Sequence, residues 1–371
     1  MSWQLRASDL DDLARGATLL GTGGGGDPYI GKMLVERVLG DGHITILDPE
    51  EIDDDMFVIP TAQMGAPTVM VEKIPAGTEA LLALRTLEEH LGRTADATMP
   101  IECGGINSMI PLAVAVEAGL PVIDADGMGR AFPELSMETF AVYGVHGSPL
   151  ALAGERGEKV VIDTGDDDRQ MEWLARGITV RLGGVGHIAE YSMTGADVKR
   201  TAVPRTLSMA LALGRAIRMA REEHGSPFEA IAKTLSSTLY CHVRELFIGK
   251  VSDVERRTTD GFAKGSAVIS PLGVEGGEDL EIVFQNENLV ARCGGAILAI
   301  VPDLICVLDA ESGEPITTEG LRYGQRVRVL GISTPEMMRT PAALAAFGPA
   351  AFGLEESFVP VEQQGLLRVP R

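Results

Sequence analysis

Between Gly261 and Gly331 the 371-residue chain breaks into short apolar segments at regular spacing: AVISPL, LEIVFQNE, GGAILAIVP, LICVLDAESGEPI and QRVRVLG. Leu280, Ile282 and Phe284 alternate with other residues, as do Val327 and Val329. A period of two is the pattern of strands with one buried face. GVEGGED (Gly273–Asp279) and the later GG, SG and YG dipeptides supply the breaks. This half of the chain must therefore build a β-rich module, and a partly closed barrel is expected. Two helices are expected before it. One is opened by Pro204, with Leu207, Leu211, Gly214 and Ile217 on one face, and the other spans 227–240. ITVRLGG and HIAEYSM read as short strands.

The first half has a different texture. Ser8 to about Arg15 reads as a helix with a box-like start at Ser8 and Asp11. The glycine run ATLLGTGGGGDP follows, and Asp27–Pro28 is a good cap and first-turn pair for a second helix carrying Ile30, Leu34 and Val38. HITILD and MFVIP read as strands, and Thr78–His90 as a helix. MPIE, the loop CGGINS, a helix over Met109–Ala118 and the strand LPVID read as a strand–loop–helix–strand unit. KVVIDTG closes this half, and GDDDRQ (Gly165–Gln170) is the most polar break in the chain. The expectation is an α/β domain over 1–170 with a largely parallel or mixed sheet, followed by an α+β domain over 171–371.

Charge narrows the function. Lys and Arg number 32 against 53 Asp and Glu, a net charge of −21. Such a surface repels phosphate backbones and anionic membranes, so neither nucleic acid nor membrane is an expected partner. Aromatic residues are 5% of the chain, too few for stacking platforms along single strands. Cys103, Cys241, Cys293 and Cys306 form no CxxC pair. The N-terminal segment lacks a basic stretch followed by an apolar one, and no apolar run reaches the ~18 residues of a membrane span. A cytoplasmic chain with reduced thiols is expected.

Gly21-x-Gly23-x-x-Gly26 fits the dinucleotide fingerprint, with Asp48 placed as the ribose acid, but only ATLL remains for the strand that must precede it. Gly26-DPYI-Gly31-Lys32 spells most of a phosphate loop, yet Met33 replaces the metal-binding hydroxyl and Asp27 competes for the same amides. The plainer reading is a tight turn between two helices; an intermediate one lets Gly23, Gly24, Gly25 and Gly26 line a pocket for a neutral ligand.

ECGGINS (Glu102–Ser108) and DADGMGRAFPE (Asp124–Glu134) are richer. Both follow expected strands, where α/β sheets place ligands. Glu102, Asp124, Asp126 and Glu134 supply carboxylates, Asn107 an amide and Arg130 a fixed charge. Carboxylates crowded in a cleft raise one another's pKa, which suits a general base. Asp124-x-Asp126 also suits a hard divalent metal ion. Turn capping is the bland alternative for each acid. The histidines show no metal spacing; His146 and His187, in Gly-rich loops, stand out. Cys103 reads as a buried thiol before it reads as a nucleophile. In the β-rich half, Arg322 and Tyr323 are placed to reach a ligand, while Asp303 and Glu319 read equally as ion-pair partners of Arg322 or Arg326.

Taken in order, GTGGGGDP, ECGGINSMIP, DADGMGRAFPEL, LFIGKVSDVERR, GF-x-x-G, FQNENL, PDLI and TTEGLRYGQRV resemble the S-methyl thiohydantoin desulfurase-like family, a group associated with hydantoinase/oxoprolinase-type proteins. The resemblance runs from Ser8 to Pro360. It implies an N-terminal and a distinct C-terminal domain, and hydrolysis of a five-membered cyclic imide-like small molecule, with methanethiol leaving an S-methylated thiohydantoin. On this reading a carboxylate among Glu102, Asp124, Asp126 and Glu134 is the base. Arg130, Asn107 and the amides of Gly104 and Gly105 stabilise the developing charge, and Gly23–Gly26 form one wall. The alternatives are a non-catalytic partner subunit of a hydantoinase/oxoprolinase-type enzyme and a nucleotide-binding oxidoreductase. A homo-oligomer is expected.

Overall fold

The longest strand, Val243–Thr259, organises the C-terminal half. In the computed structural model, which describes residues 1–65, 69, 76–259, 262–272 and 277–364, it pairs with Phe262–Pro271 on one side and Arg326–Ile332 on the other. The sheet is seven-stranded and antiparallel; from Val243–Thr259 it continues outward through Leu280–Gln285, Glu287–Cys293 and Ala296–Ile300 on one flank and ends at Leu304–Asp309 on the other. It curls until Leu304–Asp309 touches Glu287–Cys293. Register shifts at Val251/Asp253 and Glu245/Phe247 supply the local bends. Leu280, Ile282 and Phe284 do face inward, and Val251, Ile269 and Val327 join a core inside the curl. Val243–Thr259 is missing from the sequence reading because its residues run polar and charged on the outer face. Gly261 and the first residues of GVEGGED, 273–276, lie outside the described residues.

The N-terminal part carries mixed sheets. Ile44–Leu47 pairs antiparallel with Trp3–Leu5 and parallel with Val122–Ile123. A four-stranded antiparallel sheet runs in the order Thr61–Gly65, Val185–Ala189, Leu150–Ala153, Lys159–Ile162, with helix Glu79–Leu91 packed against it. The chain thus returns to this sheet after residue 170. Helix Thr206–Glu222 likewise packs on Leu10–Leu20.

Several local expectations are corrected. ITVR lies in helix Asp168–Arg181, not in a strand: Asp167 caps Gln170, and Met171, Ala175 and Thr179 recur every four residues on the buried face. MPIE is no strand, because Pro100 has no N–H for a ladder. ATLL is the last turn of helix Leu10–Leu20. The second inserted helix ends at Leu235. Among the described residues no helix is long and apolar enough to cross a membrane.

Candidate functional site

Helix Leu10–Leu20 runs directly into the glycine loop, and Asp27 Oδ1 accepts the Tyr29 amide to start helix Pro28–Leu39. With a helix where the dinucleotide fold needs a strand, that reading fails. Asp48 holds Arg205 at 3.1 and 3.0 Å and the terminal amine at 2.7 Å. The loop's polar atoms are turned to protein instead. Gly23 O accepts Thr318 N at 2.7 Å and Gly25 O accepts Ile106 N at 2.8 Å. A Cβ on Gly24 would stand 2.1 Å from Glu287 Oε1, so glycine here makes room for a carboxyl group.

Beneath this crossing of the two glycine loops is a cavity of about 50 Å³. Gly25, Gly26, Gln63, Glu102, Asn107, Glu134, Arg176 and Glu287 are among its walls. The volume suits a few waters or one compact polar group. Asn107 sets the geometry of two neighbours. Its Nδ2 donates to Glu102 Oε1 at 2.8 Å and to Gln63 O at 3.1 Å, while its Oδ1 accepts Gln63 N at 2.8 Å. Glu287 Oε1 accepts the Gly25 amide at 3.3 Å. That leaves Glu102 Oε2, Glu287 Oε2 and both amide atoms of Gln63 buried without a protein partner. Buried polar atoms need partners, so these four mark where a ligand's donors and acceptors fit.

Burial pushes the Glu102 carboxyl well above its ordinary value, and the nearby Glu287 raises it further. Burial also lifts Glu287, to about 8, against the pull of the Arg130 charge. The cation near Glu287 makes it the first of the two to ionise. Near neutrality the pair offers one proton donor and one site able to lose its proton.

The other expected site residues divide clearly. Gly104 and Gly105 lie against the loop Gly21–Gly26. Glu134 is half-buried at the cavity's rim. Asp126 is buried and taken up by the amides of Cys103, Met128 and Gly129, which hold its pKa to about 6 against burial. Asp124 accepts Ser208 N and Trp3 Nε1. Both acids hold main-chain amides and so shape loops. No group of metal-ligating side chains occurs among the described residues.

Arg130 is turned away from the cavity. Its guanidinium donates to the carbonyls of Ala131, Asn288, Pro302 and Asp303 at 2.9–3.2 Å, bolting the DADGMGR loop to the C-terminal sheet. Arg130→Met should lower unfolding free energy by about 3–5 kcal/mol in urea titrations, because those buried carbonyls lose their donor. A change below about 1 kcal/mol would refute the clamp.

Arg322 and Tyr323 are not part of this cavity. Arg322 lies in a separate surface hollow with Asp27 and Tyr29, and Tyr323 is 75% exposed. Asp303 pairs with Arg339 rather than Arg322 or Arg326. Cys103 is buried, donates to Thr206 O and is raised well above its usual pKa by burial, so it is a poor nucleophile. His146 sits at the surface beside Asp168, and His187 is buried in strand Val185–Ala189.

Gln63, Glu287 and Arg176 were not singled out from sequence. FQNENL contains Glu287, and four consecutive polar residues, Gln285 to Asn288, at the junction of two otherwise apolar strands are the available signal. Glu138 and Glu190 are not among the cavity's walls; both are fully buried, and none of their carboxyl oxygens has a hydrogen-bond partner.

Residues 8–164 match the model of the S-Me-THD-like N-terminal domain and 166–361 that of the S-Me-THD-like C-terminal domain. No curated protein matches the chain. An X-ray structure of a protein from Chromobacterium violaceum is similar at 26% identity, covering 97% of this chain and 100% of that one with a TM-score of 0.79. Together the two models take in nearly the whole length, glycine loops and cavity walls included, and the chain belongs to the S-Me-THD-like family.

Proposed function

We propose that the chain is a hydrolase acting on a neutral five-membered ring of the S-methyl thiohydantoin type. The observation that carries this reading is the enclosed set of unpartnered groups: two carboxyl oxygens and one complete amide. The Gln63 amide offers one donor and one acceptor side by side, the complement of a ring N–H next to a C=O. An anion would face two buried acids, so a neutral ring is the better fit. The family's name supplies the sulfur chemistry.

The residues perform the reaction in two proton-balanced steps. Ionised Glu287 takes a proton from water as its oxygen bonds to the ring carbon bearing sulfur, and protonated Glu102 gives its proton to the ring nitrogen. The new hydroxyl then returns a proton to Glu102 as the C=O forms. The C–S bond breaks and methanethiol leaves with the proton held by Glu287. Both carboxyls end as they began, and the organic product is the hydantoin.

Purified protein given S-methyl thiohydantoins should release methanethiol and accumulate hydantoin, read by thiol titration and mass spectrometry. Below about 8, kcat/KM should rise with pH as Glu287 loses its proton. Absence of both thiol release and binding across S-methylated and oxygen rings would overturn the reading.

A further inference from the structure

The cavity accommodates only the reacting end of a ligand, and its rim decides where the remainder goes. Glu134 and Arg176 line both the cavity and an open groove of about 1810 Å³. The groove runs between helix Asp168–Arg181 and the C-terminal helices Pro341–Phe347 and Pro349–Phe352. Its surface is largely apolar, from Met137, Val142, Phe262, Trp173, Val180 and Ala345. Trp173 is 73% exposed and Val180 55% exposed. Large apolar side chains clustered in the open at the mouth of a polar cavity mark a binding surface. At the junction, Arg176 is already committed to Glu172, Pro133 O and the Phe262 ring, so it does not demand an anionic group there.

Resting on the hydrolase reading above, we infer that the ring's substituent leaves the cavity between Glu134 and Arg176 and lies in this groove. The substrate class is therefore a ring carrying a long apolar side group. Continuity of the groove with the cavity favours this occupant over a second copy of the chain.

The test is calorimetric titration of the full chain with rings bearing hydrogen, methyl, butyl and hexyl groups, alongside tryptophan emission. Affinity should rise up to about fourfold per buried methylene. Emission should shift with the hexyl ring in the native chain but not in Trp173→Phe; the only other tryptophan is Trp3. Ala345→Glu, at an exposed position, should collapse the affinity ratio between hexyl and unsubstituted rings at least tenfold. Equal affinity along the series overturns the inference and leaves the hydrolase reading standing. So does a dimer in sedimentation that shields Trp173 from the hexyl ring. If no ring binds, both fall together.

Discussion

Glu287→Gln is expected to reduce methanethiol release roughly a hundred- to ten-thousand-fold, the range over which a positioned base contributes, and at the same time to stabilise the protein at alkaline pH. The two effects have one cause. The Glu287 carboxyl is buried, and folding raises its pKa from an ordinary 4.5 to about 8. Below 4.5 the folded and unfolded chains are both protonated there, and this group gives no pH dependence. Between 4.5 and about 8 the folded chain keeps a proton that the unfolded chain releases. Stability then falls as pH rises, by up to about 1.4 kcal/mol per unit. Glutamine has the same shape, still accepts the Gly25 amide and carries no charge to desolvate, so the variant escapes that loss. Melting temperatures from pH 5 to 9 should fall less steeply in the variant. Glu102, Glu138 and Glu190, also raised by burial, keep the remaining slope negative. Activity within tenfold of the native chain, with an unchanged slope, would dismiss Glu287 as the base.

What the sequence reveals and what it hides follow from the same physics. The carboxyl–amide pair Glu102 and Asn107 is legible because polar residues flanked by glycines in an apolar context rarely lack a purpose. The alternation of Leu280, Ile282 and Phe284 announces its strand. Arg130 misleads: an arginine beside glycines reads as a ligand clamp, and only tertiary structure shows that its donors meet main-chain carbonyls from residues more than 150 positions away. ITVR misleads because β-branched residues favour strands locally, while the four-residue spacing of Met171, Ala175 and Thr179 has to be read from outside the tetrapeptide. Gln63 is hidden in a five-residue strand, Thr61–Gly65, where burial extends along four successive positions and no alternation flags its side chain. Glu287 is hidden by a conformational detail. Asn286 adopts φ +58, and the register shifts at Val283/Phe284 just before it, so the alternation that predicts which side chains face inward breaks there.

Gly105→Ala should be the most damaging single-methyl change in the chain's site, and Gly119→Ala is its control. Gly105 has φ +61 and Gly119 φ +72, so an alanine at either meets a similar left-handed penalty of about 1–2 kcal/mol. Their surroundings differ completely. At Gly119 a new Cβ has nothing within 4 Å, whereas at Gly105 it would lie 2.1 Å from Gly25 O and 2.5 Å from Gly26 O. Those atoms are backbone, and one of them already accepts Ile106 N, so relief requires the two glycine loops to separate and that hydrogen bond to break. A broken buried hydrogen bond adds about 1–3 kcal/mol before any cavity forms. Urea titration should therefore find Gly105→Ala less stable than Gly119→Ala by at least about 2 kcal/mol. The separation also draws Gly25 N–H away from Glu287, so whatever Gly105→Ala protein folds should show its pH–rate limb displaced upward, since that amide favours the ionised carboxylate. Equal stability of the two variants would mean that the loops move apart freely, and a cavity walled by them would then lack the fixed geometry on which paired acid and base chemistry depends.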